Sequence, residues 1–307
     1  MPETAPTNPV APSGVQTRML AGIGLLIAAV ACFAILDTTT KRVTAEVPLL
    51  MAVWARNFFQ ALFTSAWVLP RQGLSVLKTE HLGKQLVRGL LMITVTVLAF
   101  SSLHVLPVGE FTAIVMTTPL LVTLLAARML GEHVSALRVA LVAGGFAGVA
   151  IIVRPTGEGL SWYLLLPLVL VIANAGFQLM TSKLARTEPT MTTQFYTSWL
   201  GALLTSIPVL WFWTPIADPL LWVGLVLMGA AGTVGHVLMI KSFERAPAAT
   251  LMPYMYMQIG FAMLGGWMVF DHVPDHLSLI GIGLIALCGT AGGVLTLVES
   301  RMRVAGR

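Results

Sequence analysis

The sequence predicts an all-α membrane protein of ten transmembrane helices, built as two inverted five-helix repeats. Three observations predict it. Apolar residues fill 57% of the 307 positions and charged residues only 10%, where an average soluble domain carries about 25% charged residues. The charges cluster between apolar stretches long enough to cross a bilayer, for which about 20 residues suffice. The second half of the chain repeats the first at a shift near 140 residues.

The opening MPETAPTNPVAPSGVQTR, residues 1–18, is rich in Pro, Thr and Ala and lacks a basic n-region. It reads as a disordered cytoplasmic tail rather than a signal peptide. Spans follow at 19–41, 48–70, 86–106, 107–130, 137–153, 160–182, 192–213, 219–240, 247–270 and 277–298, then a basic tail at 299–307. Prolines punctuate the joints, among them Pro48, Pro107, Pro189 and Pro219. The loops leave no room for a soluble domain. Cys32 and Cys288 both fall in apolar runs and read as small buried hydrophobes, not as a disulfide or a metal pair. Net charge is +5, which needs no nucleic-acid partner because cytoplasmic loops are basic by rule. With the N-terminus inside, 14 Lys and Arg residues, Arg88 among them, fall on cytoplasmic segments and 3 on outer ones. Both ends are then expected in the cytoplasm of a cell whose inner membrane holds the protein.

The repeat joins residues 19–153 to 160–298. Thr39-Thr40-Lys41 meets Thr181-Ser182-Lys183, and Ala61-Leu62-Phe63-Thr64-Ser65 meets Ala202-Leu203-Leu204-Thr205-Ser206. Gly89 falls on Gly229, Ser102 on Ser242 and Pro107 on Pro247. Five spans per repeat is an odd number, so the second copy enters from the opposite side. Such inverted repeats mark secondary transporters, whose halves rock around a site near the midplane.

Five-plus-five spans with acidic residues closing spans 4 and 9 (RMLGEHVS, MVFDHVPD), the LDTTTK end of span 1 and the WARNF of span 2 resemble the drug/metabolite transporter superfamily, EamA type. The resemblance covers about residues 19–298. Asp271 departs from the Glu of many relatives, and Gln258 stands near the place of Pro119. The resemblance implies a carrier of amino-acid-, nucleotide- or vitamin-like metabolites or toxic organic compounds. The LDTTTK stretch is similar to members that take up riboflavin or S-adenosylmethionine.

Arg56 comes eight residues after Pro48, about 12 Å into the membrane. A cation at that depth is costly and is either functional or paired. Its expected partner is Asp37 on the neighbouring span, as a proton-coupled gate or a static strut. Glu110, one turn into span 4, reads as a helix-start carboxylate or a proton carrier; His236 in span 8 is a further titratable group. Asp37, Glu110 and His236 are thus the candidate coupling residues. Trp54, Arg56, Asn57 and Gln60 on span 2, Asn174 and Gln178 on span 6, Tyr196 on span 7, and Tyr254, Tyr256 and Gln258 on span 9 are the candidate substrate contacts. A Tyr-, Met- and Gln-walled site suits an amphipathic organic solute better than a bare ion. Glu132 and Asp271 are expected to cap turns, Pro253 to free a backbone carbonyl, and the Gly-rich stretches of spans 5 and 10 to serve helix contact, in a monomer or a homodimer.

No GxxxxGK[ST] motif is present, so energy is expected from a gradient or from exchange. No cofactor or metal is implied. An intramembrane lipid-modifying enzyme is the competing class. It would need acids, a His–acid pair or a nucleophile gathered at one depth, and Asp37, Glu110 and His236 are scattered.

Overall fold

The computed structural model describes residues 13–129, 136–153, 165–185, 187–246, 251 and 254–305. Glu132, Pro253 and the first twelve residues of the expected tail lie outside that set. The helices are α1 (Ser13–Thr44), α2 (Leu49–Gln72), α3 (Leu82–Val105), α4 (Val108–Val115), α5 (Thr118–Met129), α6 (Ala136–Val153), α7 (Leu165–Leu184), α8 (Thr190–Val209), α9 (Pro219–Arg245), α10 (Met257–Phe270) and α11 (His276–Ala305). Counted with α4 and α5 as one broken segment, they give ten segments.

Five of these helices are long and apolar enough to cross a membrane by themselves: α1, α3, α7, α9 and α11. α2 and α8 are long enough but diluted by polar side chains. They turn those side chains inward. Arg56, Asn57, Gln60 and Thr64 of α2 are buried, as are Gln194, Thr197, Ser198 and Thr205 of α8. Leu62, Trp67, Leu203 and Ile207 on the outward faces are exposed, as a lipid-facing surface requires.

Proline and aspartate set the ends. Pro48, Pro107 and Pro189 are N-caps, where the missing N–H costs nothing. Before α9, the Asp218 carboxylate accepts the Leu220 N–H at 2.8 Å, with Pro219 at the first helical position. Asp271 ends α10 with φ at 50°, in the left-handed region that Asp tolerates. Its N–H donates to Trp267 O, the single bond of an αL cap, and the His272 N–H donates to Gly266 O. Asp271 therefore works through its backbone, and the cap into α11 is Asp275, which accepts the Ser278 N–H at 2.9 Å.

Several boundaries differ from expectation: α9 runs to Arg245 rather than 240, and α11 runs to Ala305, so that most of the expected basic tail is helix. α1 begins inside the expected tail, at Ser13. α8 stops at Val209 beyond Pro208, leaving Trp211 and Trp213 exposed as a belt. α3 begins at Leu82 rather than 86, which puts Arg88, counted among the cytoplasmic charges, about two turns inside the helix, where it is buried.

The halves interlock. α1 packs on α9 and α10, as α7 packs on α3 and on α4–α5. α2 packs on α8, α6 on α11 and α4 on α10, each pairing one half with the other. These partners exchange when the halves are exchanged. The ALFTS and ALLTS stretches meet across the α2–α8 contact: Trp54 donates to Ser206 at 3.0 Å and Trp199 to Ser65 at 2.9 Å. The Gly-rich stretches of α6 and α11 face each other within one chain. A Cβ on Gly281 would stand 2.7 Å from Gly148 O. The fourth segment breaks at Met116–Thr117, and at a shift of 140 Met116 falls on Tyr256, where α10 begins.

Candidate functional site

A cavity lies where α1, α2, α3, α4, α7, α9 and the start of α10 converge. Phe33, Met92, Val95, Phe111, Leu170, Phe177 and Met255 form its apolar wall. Asp37, Arg56, Thr96, Asn174, Gln178, His236 and Gln258 point polar groups into it. Its volume is about 110 Å³, well below the roughly 300–1,000 Å³ of sites that enclose an organic ligand.

Arg56 is only 3% exposed. Its Nη1 donates to Thr96 Oγ1 at 2.9 Å and reaches Asn57 Oδ1 at 3.5 Å. Its Nη2 lies 3.4 Å from His236 Nε2, and its Nε has no partner. The repeat explains this seat, because Thr96 and His236 are equivalent positions on α3 and α9 at a shift of 140. Phe33 and Phe177 pack on the imidazole with ring centroids 4.9 and 5.9 Å away.

The expected Asp37–Arg56 ion pair does not form. Asp37 accepts a hydrogen bond from Gln258 Nε2 at 3.3 Å, and no acid lies within ion-pair distance of Arg56 among the described residues. Chain order suggested that the first two spans are neighbours. In the fold α1 is occupied by α9 and α10 and barely touches α2. Asp37 and Arg56 face the same cavity from different walls.

Of the other expected contacts, Asn174, Gln178 and Gln258 line the cavity, and Asn174 also donates to Thr118 at 3.4 Å. Six do not line it. Trp54 faces α8 and stacks on Phe58. Asn57 donates back to Val53 O and packs against Gly201. Gln60 is buried beside Gly232. Tyr196 donates to Leu77 O, in the 3-10 turn Gly73–Leu77 after α2. Tyr254 is exposed. Tyr256 is buried, with its ring against Gly289 of α11. Glu110 also sits apart, accepting from Ser278 Oγ at 3.3 Å with His272 Nε2 at 3.6 Å.

Arg88 was not among the expected site residues. It is fully buried. Nε donates to Thr181 Oγ1 at 2.8 Å, Nη1 to Thr193 O at 3.3 Å and to Thr197 Oγ1, and the guanidinium stands 4.6 Å from the Phe177 ring centroid. The signal was present in the repeat: a shift of 140 lays Arg88 on Met228, deep in the expected span 219–240.

Interlocked five-segment halves around a polar cavity, in an apolar helical body, are the build of an integral membrane transporter. The chain belongs to the EamA-like transporter family, which matches residues 20–154 and 160–291, one match per half. It is 28% identical to a riboflavin transporter of Rhizobium johnstonii over 88% of this chain and 89% of that one. It is 26% identical to an S-adenosylmethionine uptake transporter of Rickettsia bellii, covering 74% and 79%, and 25% identical to a pseudopaline exporter of Pseudomonas aeruginosa, covering 91% and 100%. A solved crystal structure superposes with a TM-score of 0.66 over 92% of this chain and 98% of its own, at 18% identity, which shows the shared fold alone. Transport of a small molecule replaces the intramembrane enzyme as the class of function.

Proposed function

We infer that the protein is a secondary active carrier of a small organic solute, working by alternating access in the inner membrane with both termini cytoplasmic. One observation carries this reading: Arg56 is buried in the cavity wall with neutral partners and no acid beside it. A cation so placed is costly in an apolar body, and an anionic or strongly polar edge of the solute would offset that cost. The apolar wall of Phe33, Phe111, Phe177 and Met255 suits the body of the same solute. The vitamin-, amino-acid- and nucleoside-like classes fit this division, and the riboflavin and S-adenosylmethionine relatives support it. Because the cavity is small, the halves must part to admit such a solute, which is what alternating access does. Asp37 and His236 line the cavity and are the coupling groups the geometry favours. Glu110 is held away from it by Ser278.

Riboflavin flux into sealed proteoliposomes tests the reading, with an imposed pH gradient. Uptake should be saturable in the wild type. It should fall by about tenfold or more in Arg56→Ala and by less in Arg56→Lys, which keeps the charge but loses the planar fork. Asp37→Asn should lose the dependence on the gradient. Unchanged flux in both Arg56 variants would move the site elsewhere.

A further inference from the structure

Arg88 is a second buried cation, and the cavity reading does not use it. The repeat supplies its own control. Thr181 of α7 meets Arg88 of α3, while Thr40 of α1, which falls on Thr181 at a shift of 141, one residue off the match of Thr39 with Thr181, meets Met228 of α9, its Oγ1 3.4 Å from Sδ. One wall of the seat is built twice, once with an uncharged occupant of similar length, while the counterparts of Thr193 and Thr197 are Ala52 and Arg56, so the buried cation at this place belongs to one half alone. No acid pairs with Arg88 among the described residues. Its Nε and Nη1 are held by Thr181, Thr193 and Thr197, which fixes the guanidinium plane. Its Nη2 is buried without a partner, while Gln85, one turn earlier on α3, donates its Nε2 to Thr193 Oγ1 at 3.3 Å. Gln194, beside Thr193, is buried with neither side-chain atom partnered.

One ring separates this cluster from the cavity. Phe177 lines the cavity, meets the His236 ring at an interplanar angle of 74°, and carries the Arg88 guanidinium over its face. A guanidinium held by two of its nitrogens keeps the third as a directed donor, and oxyanions are its best acceptors.

We propose that Arg88 forms a second binding station for the carboxylate or phosphate group of the solute, reached from the central cavity when the Phe177 ring turns aside. The station rests on the cavity being the substrate site, and it would draw the solute from Arg56 toward the α3–α8 end of the molecule. An oxyanion leaving Arg56 then passes to another cation instead of to an apolar wall.

Titration of the purified, detergent-solubilised protein with inorganic phosphate, and separately with acetate, against chloride at equal ionic strength, tests this. Thermal unfolding is the readout, since an anion that binds the native state raises Tm. The wild type should be stabilised by at least one of the two anions. Arg88→Met, which copies the residue at position 228, should weaken that binding by about tenfold, and Arg88→Lys by less. Arg56→Met should lose the other part of the effect, and the double variant all of it. Stabilisation by phosphate alone assigns a phosphate-bearing solute, and by acetate alone a carboxylate. Arg88→Met titrating like the wild type removes the second station and leaves the cavity reading standing. Both single variants titrating like the wild type, or no stabilisation of the wild type by either anion, removes both. Arg88→Met melting well below the wild type in chloride alone marks the cation as a strut and overturns the station.

Discussion

Gly89 on α3 and Gly229 on α9 are the same joint made twice, and the two copies differ in what presses on them. A Cβ on Gly89 would stand 2.5 Å from Leu200 Cδ2, the tip of a side chain. A Cβ on Gly229 would stand 2.3 Å from Phe59 Cβ and 3.1 Å from the Gln60 backbone N. Leu200 and Phe59 are themselves equivalents, at a shift of 141. One joint can yield by turning a leucine. The other can yield only by moving a helix. Repeated architecture thus preserves which helices meet and leaves the tolerance of each meeting to local side chains. Arg88 and Met228 make the same point with charge in place of bulk.

The largest effect should come from forcing the charge across the symmetry. Met228→Arg places a guanidinium where the counterpart of Thr197 is Arg56, whose side chain reaches Gly232, one turn along α9. Burial alone costs about 2.5–3.5 kcal/mol on the insertion scale, and the like charge adds to it. Almost no monodisperse protein should survive solubilisation; a yield equal to the wild type would break the equivalence of the two seats. Next comes the glycine pair. Gly229→Ala should cost about 2–3 kcal/mol and Gly89→Ala about 1 kcal/mol, read as unequal drops in Tm. Equal drops would mean that the α9–α2 joint is as pliant as its partner. The smallest effect concerns Lys41 and Lys183. Lys41 Nζ donates to Leu103 O and Leu106 O at 3.0 and 2.8 Å, closing the end of α3, whereas Lys183 is exposed. Lys41→Met should cost about 0.5–1 kcal/mol and Lys183→Met nothing measurable by the same melt.

Much of this was legible in the residues. Hydropathy and proline placement gave the segments, and the ordered matches Gly89–Gly229 and ALFTS–ALLTS gave the halves. The intramembrane position of Arg56 pointed to the cavity wall. Neighbourhood was not legible. Hydropathy reports that a helix meets lipid or protein without naming the protein, so Asp37 was paired with Arg56 through chain order. In fact α9 and α10 of the other half cover α1 and give Asp37 to Gln258. Facing was lost for the same reason. Gln60, Tyr196 and Tyr256 are polar within spans, yet their helices turn them to Gly232, Leu77 and Gly289. Arg88 escaped because a cation near a span edge is indistinguishable from a loop charge until its depth is known. The one clue was Met228 at the same place in the repeat.

The partners of Arg88 also set a schedule for making the protein. Its acceptors Thr181, Thr193 and Thr197 follow it by 93 to 109 residues. At about 5–20 residues per second of synthesis, α3 must wait roughly 5–20 s in the nascent chain before α7 and α8 exist to receive its cation. During that interval the guanidinium has to remain in the translocation channel or at the headgroup layer. Final seating of the first half is therefore a post-insertion event, gated by the arrival of the second, and a ribosome-stalled chain ending before α8 should carry an unsatisfied arginine that quality-control proteases can recognise.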